Sequence, residues 1–133
     1  MHIETELRKE HTKSQCDRIV KYIGDREDRF GELMQLFFSG EYRITQRAAW
    51  PMSYCVRNHP ALVKPWLGKM LDLLESENPH SAAKRNIVRL LQFIEIPKRY
   101  QGRVMNTCFG FIEDPGEAIA VKAFSLTVLE NLS

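Results

Sequence analysis

The amino-acid sequence predicts an all-α fold, a right-handed α-α superhelix (solenoid) of about three helical hairpins with an N-terminal cap helix. Helical apolar periodicity runs almost from end to end, while the period-two alternation of strands is absent. An apolar pattern occurs three times, with intervals of 37 and then 38 residues between the copies. Glycine and proline fall between the repeated segments, where helices commonly end.

The first helix of each hairpin carries the clearest repeat. Residues 30–37 hold apolar side chains at i, i+3, i+4, i+6 and i+7, which form a broad stripe on one side of a helix. The same pattern recurs at 67–74 and at 105–112. We therefore expect three first helices that bury the same face.

A second helix follows each first helix at a matching interval. In the alignment of the repeats, Arg47 matches Arg85, 38 residues later, and Lys122, a further 37 residues later. Turn-forming residues separate the helices within each hairpin and the successive hairpins, at Gly40, Pro60, Pro79, Pro97, Pro115 and Gly116.

These patterns give the predicted boundaries of one domain over residues 1–133. It comprises a cap helix at 14–24 and hairpins at 26–58, 60–95 and 97–133. The first helices are predicted at 26–38, 61–75 and 98–112, and the second helices at 41–58, 80–95 and 116–133. Pro51 predicts a kink in its helix, and Pro65 predicts a late helix start.

Composition excludes several classes of protein. A chain of 133 residues with 44% apolar and 27% charged residues suits one globular domain. No apolar run approaches the length of about 20 residues that a membrane span needs, and the charged N-terminus lacks the apolar region of a secretion signal. Three cysteines, an odd number without CxxC spacing, suit free thiols in a reducing compartment. We therefore expect a cytoplasmic protein.

The repeat units resemble a known class. Two-helix units of 37 or 38 residues, with a basic residue early in the second helix, look like HEAT-type repeats of the armadillo-like superhelix. More narrowly, the stretches GEYRITQRAAW and KRNIVRLLQFIEIP are similar to a group of small bacterial HEAT-like proteins. The resemblance covers residues 26–133. It implies scaffolding and macromolecular binding through stacked second helices, and it specifies a fold better than a function.

The C-terminal helix lacks the polar outer face that a terminal repeat should present. Within residues 116–133 the charged residues are Glu117, Lys122 and Glu130, and apolar residues point in several directions. We therefore expect this face to be covered. The resemblance favours a chain that continues into a further hairpin, and a partner or self-association through this helix is the alternative.

A basic row provides the leading functional hypothesis. The second helices of a solenoid line its concave side, so Arg47, Arg85 and Lys122 should follow one another along it, with Arg89 one turn from Arg85. Trp50, three residues after Arg47, is a candidate anchor, since tryptophan is enriched in binding hot spots. The predicted function is a non-enzymatic protein-binding scaffold or adaptor that accepts an acidic or helical segment.

Two other interpretations remain open for the same residues. The basic side chains could bond to polar groups at the turns inside the hairpins, near Glu41, Asn78 and Asp114. Alternatively, they could bind a nucleic-acid phosphate backbone, as in the alkylpurine DNA glycosylases built from HEAT-like repeats. Those enzymes need an acidic residue framed by aromatics, and no such residue stands beside Trp50 or Trp66. The sequence pI of 8.5 is also milder than the value above about 9 that is typical of nucleic-acid-binding domains.

Catalytic and metal-binding patterns are weak. Cys55 and His59 lie four apart on one helix face, but two ligands are too few for zinc. No nucleophile motif, HExxH, phosphate-binding loop or dinucleotide fingerprint occurs. The sequence therefore predicts no enzyme, no metal and no cofactor.

Overall fold

The computed structural model describes all 133 residues and contains α-helices, one 3-10 helix and no strands. The α-helices are α1 Ile3–Lys9, α2 Lys13–Ile23, α3 Glu27–Phe37, α4 Tyr42–Asn58, α5 Leu67–Glu75, α6 Ser81–Leu91, α7 Lys98–Glu113 and α8 Ile119–Leu132. A 3-10 helix occupies Pro60–Trp66. The chain divides into two compact units, Met1–Pro65 and Trp66–Ser133.

Within the N-terminal unit, α3 and α4 form the central pair, and α4 also packs against α1 and α2. Its core is fully buried and includes Leu7, Ile19, Phe30, Phe37 and Ile44. The buried hydroxyl of Thr45 donates to the carbonyl oxygen of Phe37 at 2.8 Å, which ties the start of α4 to the end of α3. Gly40 has a φ of 85° in the connecting turn, a conformation that glycine adopts without steric cost.

The predicted cap helix is α2, and an additional helix that the sequence analysis did not predict, α1, precedes it. Thr12 caps α2 by accepting from the backbone N–H of Gln15 at 3.1 Å. The Gln15 side-chain amide in turn donates to the carbonyl oxygens of Glu6 and Glu10, at the end of α1. The two short helices are therefore joined by bonds to the otherwise orphan carbonyls of α1.

Within the C-terminal unit, α7 packs against both α8 and α5, and α8 packs against α6. The Arg103 guanidinium joins α7 to α5 through Asp72 at 2.9 Å and Glu75 at 2.6 Å. Gly68 allows a close approach on the same side, because a Cβ there would stand 3.3 Å from the hydroxyl of Tyr100. The buried core comprises Leu67, Met70, Leu71, Ile87, Val88, Val104, Cys108, Val121 and Val128.

Three helix ends depart from simple periodicity. The late start predicted from Pro65 is present, because Pro60–Trp66 is a 3-10 helix and α5 begins at Leu67. Helix α6 ends at Leu91 instead of residue 95. The backbone N–H groups of Gln92 and Phe93 donate to the carbonyls three residues earlier, which is the tighter 3-10 pattern that commonly ends an α-helix. Helix α8 begins at Ile119 instead of residue 116, because a turn at Pro115 and Gly116 intervenes.

The apolar stripe is buried in two of its three copies. Phe30 and Met34 are fully buried in α3, and Leu67 and Leu71 are buried at the same register in α5. The equivalent residues of α7 are Met105 and Phe109, which are 38% and 48% exposed. The prediction that all three first helices bury the same face is therefore wrong for α7, where the chain covers these two side chains only in part. None of the helices combines the length and the hydropathy that a bilayer span requires.

Candidate functional site

Arg85 and Arg89 are exposed on α6 and lie on one ridge of the helix, four residues apart. The opposite side of α6 is buried through Ala83, Ile87 and Leu91, so the helix is anchored while the two arginines face solvent. Neither guanidinium has a hydrogen-bond or ion-pair partner within the chain. Two unpaired cations on one fixed ridge can bind two carboxylates or phosphates of a partner.

Lys122 stands on α8 at the repeat position of Arg85, 37 residues further along. Its side chain is half-buried, and its ammonium group has no ion-pair partner within the chain. Because α6 and α8 pack against each other, these three cations belong to two neighbouring helices of the C-terminal unit.

Arg47 and Trp50 belong to the N-terminal unit, where both make internal contacts. Arg47 Nη1 donates to the carbonyl oxygens of Leu7 at 2.8 Å and Arg8 at 3.4 Å. Trp50 is half-buried and meets His11 edge to face, with 5.0 Å between ring centroids. Burial, together with the positive charge of Arg47, lowers the pKa of His11.

The contacts of Arg47 correspond to the structural interpretation that the sequence left open, although with a different partner. The expected partners were polar groups at the turn inside the hairpin, such as Glu41. Glu41 is instead held by Arg8, which forms a bidentate pair with its carboxylate at 2.8 and 2.9 Å. Arg47 caps the end of α1, a helix that the sequence analysis did not predict, so its target could not be named in advance.

A largely buried ion pair joins α6 to the turn before α8, and the sequence pattern did not predict it. Lys84 Nζ lies 2.8 Å from a carboxylate oxygen of Glu117, and the two side chains are only 18% and 6% exposed. Lys84 lies in α6 next to Arg85, and Glu117 lies in the turn before α8. The available signal was Glu117 itself, a charged residue in an otherwise apolar segment.

The cysteines are free and buried, as their number and spacing predicted. Burial raises the pKa of Cys16 to about 11 and that of Cys55 to about 12. Burial also raises the pKa of Cys108. Thiols of this kind stay protonated near neutral pH and are poor nucleophiles. No group of three or more His, Cys, Asp or Glu residues is placed to hold a metal ion.

The repeated pairs of helices define a class, the helical-repeat proteins, whose stacked hairpins present surfaces for other macromolecules. A family model described as a HEAT repeat domain matches residues 3–132. The chain therefore belongs to the HEAT repeat domain family, which supports the predicted α-solenoid of helical hairpins. The match includes α1 and α2, beyond the residues 26–133 that carried the resemblance.

HEAT repeats generally serve as protein-interaction scaffolds, and the family is typically non-catalytic. Comparisons with curated proteins and with solved structures gave no significant match.

Proposed function

We propose that this chain is a non-enzymatic, cytoplasmic scaffold that binds an acidic segment of another protein through Arg85 and Arg89. The observation that carries the proposal is the pair of exposed, unpaired guanidiniums one helical turn apart on α6. Lys122 extends the basic surface at the same register on α8. Arg47 and Trp50 already have contacts within the N-terminal unit, so the proposal does not depend on them.

The geometry of the two arginines favours a helical or extended acidic partner. Side chains four apart on a helix have Cβ atoms about 6 Å apart, which matches the spacing of carboxylates at i and i+4 of a partner helix. The rigid fork of a guanidinium accepts a carboxylate in bidentate fashion. An arginine that is unpaired in the free protein gives up no internal ion pair when the partner arrives.

The double variant Arg85→Glu/Arg89→Glu tests this proposal. Each charge-assisted hydrogen bond contributes about 1.5–3 kcal/mol, so we expect partner affinity to fall by at least ~100-fold. The melting temperature should change by less than about 2 °C, because both side chains are exposed and unpaired. The measurement is capture from a lysate of the source organism, with and without nuclease, followed by titration of the captured protein.

Lys98→Glu/Arg99→Glu is a matched control, since it reverses two exposed charges at the start of α7 in the same unit. It should retain partner binding. Equal loss of binding in both double variants would show only a net-charge effect and would contradict the proposal. Capture that disappears with nuclease and weakens steeply with salt would favour the alternative function, phosphate-backbone binding.

A further inference from the structure

Four exposed apolar side chains lie on the hairpin of α7 and α8. Met105 and Phe109 of α7 are 38% and 48% exposed, and Ile119 and Leu126 of α8 are 85% and 57% exposed. We call these four residues the α7–α8 face. In the second hairpin the repeat positions that match Met105, Phe109 and Ile119 are buried, as Leu67, Leu71 and Ala82. Leu126 occupies the repeat position of Arg89, which is exposed.

The four side chains point away from the neighbouring helices. On α7, the contact with α5 is made by Arg103, and Met105 lies two residues on, about 200° around the helix. On α8, Asn131 marks the side that faces α6, because its amide donates to the carbonyl oxygen of Gln92. Leu126 lies five residues earlier, about 140° around the helix from Asn131. Both helices therefore present apolar residues on the side opposite the preceding hairpin.

The area of this face fits a protein–protein interface of ordinary size. At the stated exposures the four residues present roughly 450 Å² of surface, most of it apolar, taking about 200 Å² for each such residue when fully exposed. A standard interface buries about 800 Å² per partner, of which about 56–65% is apolar, or roughly 450–520 Å². The α7–α8 face thus supplies about the apolar area that one side of a stable dimer needs.

The charges of α8 are complementary to a second copy of the same helix. Between Ile119 and Leu132 the charged residues are Lys122 and Glu130, and each lies four residues from Leu126. Neither has an ion-pair partner within the chain. In an antiparallel α8–α8 contact centred on Leu126, Lys122 of each copy stands opposite Glu130 of the other, as a two-fold interface requires.

Helix α7 fits the same two-fold axis. Met105 lies eight residues before the end of α7, and Leu126 lies seven residues after the start of α8, so both are about 11 Å from the turn. An axis at the level of Leu126 therefore also passes near Met105 and stacks α7 on its copy.

From area, charge and register together, we infer that this chain forms a homodimer in which α7 and α8 pack antiparallel on α7 and α8 of a second copy. The inference does not rest on the proposed role of Arg85 and Arg89. In the dimer Lys122 pairs with Glu130 of the second copy, which leaves the binding of an acidic partner to these two arginines.

Sedimentation equilibrium of the full 133-residue chain tests the oligomeric state. The expected species has twice the chain mass of 15.5 kDa at protein concentrations of tens of micromolar. Leu126→Glu places a charge at the two-fold axis and should raise the dimer dissociation constant at least ~100-fold. Tyr42→Glu is a matched control, because Tyr42 is 59% exposed in the N-terminal unit and should leave the dimer intact.

A charge swap tests the antiparallel arrangement. Lys122→Glu and Glu130→Lys should each weaken the dimer about tenfold, since each puts like charges opposite one another twice. The double variant Lys122→Glu/Glu130→Lys should return the dissociation constant to within about threefold of the original. A monomer at 500 µM, a dimer unaffected by Leu126→Glu, an open series of larger oligomers, or a swap without recovery would each overturn the inference.

Discussion

At the scale of single residues, the ion pair of Lys84 and Glu117 differs from the others in its burial. The pair of Lys13 and Asp17 on α2 has side chains that are 52% and 61% exposed, whereas Lys84 and Glu117 are largely removed from water. A buried charge that loses its partner costs far more than an exposed one. The two pairs therefore form a natural comparison within one molecule.

Lys84→Met should lower the free energy of unfolding by about 2–4 kcal/mol, because it leaves the Glu117 carboxylate buried and unpaired. Lys13→Met should lower it by less than about 0.5 kcal/mol. Urea unfolding followed by circular dichroism measures both values. The double variant Lys84→Met/Glu117→Gln should recover a large part of the loss, and a failure to recover would mean that Lys84 acts through packing against Phe111 instead.

At the scale of helices, Arg8 connects α1 to the start of α4. Its guanidinium bonds to Glu4 on its own helix and to Glu41 at the N-terminus of α4. The hydrogen bonds from Arg8 hold the pKa of Glu41 below its ordinary value of 4.5. A carboxyl whose pKa is lowered by folding stabilises the native state above its unfolded pKa, and that contribution is lost as the pH falls through the lowered value.

Glu41→Gln should therefore reduce the melting temperature at pH 7, and the difference from the unmodified chain should close as the pH falls from about 5 to 3. Differential scanning calorimetry across this range measures the difference in melting temperature between the variant and the unmodified chain. Glu77→Gln serves as the control, because Glu77 is exposed and has no ion-pair partner. The melting temperature of this variant should stay close to that of the unmodified chain at every pH. A gap for Glu41→Gln that is independent of pH would contradict the electrostatic origin.

Sequence periodicity predicted the helices well where apolar residues repeat over several turns. It did not predict α1, which offers just Ile3 and Leu7 as buried residues and is too short to show a period. It also could not foresee that Met105 and Phe109 are exposed, because the stripe shows which face is apolar and not what packs over it. The same limit applies to Arg47 and Lys84, whose partners lie 40 and 33 residues away in the chain.

At the scale of the whole molecule, an association that stabilises the folded chain links stability to protein concentration. If the α7–α8 face forms the dimer, the melting temperature should rise by about 3–5 °C for a hundredfold increase in concentration. Calorimetry at about 5 and 500 µM measures this shift. The Leu126→Glu variant should show none, and a melting temperature equal at both concentrations in the unmodified chain would argue against dimerisation.

The way α1 is held has a consequence for the chain's first turns. An isolated helix of seven residues is not stable in water, so α1 depends on the burial of Ile3 and Leu7 and on Gln15 and Arg47, which bond to its terminal carbonyls. We expect its amide protons to exchange with solvent faster than those of α4, through brief local opening. The frequency of that opening depends on a side chain some forty residues away. A substitution of Arg47 would therefore loosen residues 3–9 first, and any loss of binding in such a variant would have to be separated from this local fraying.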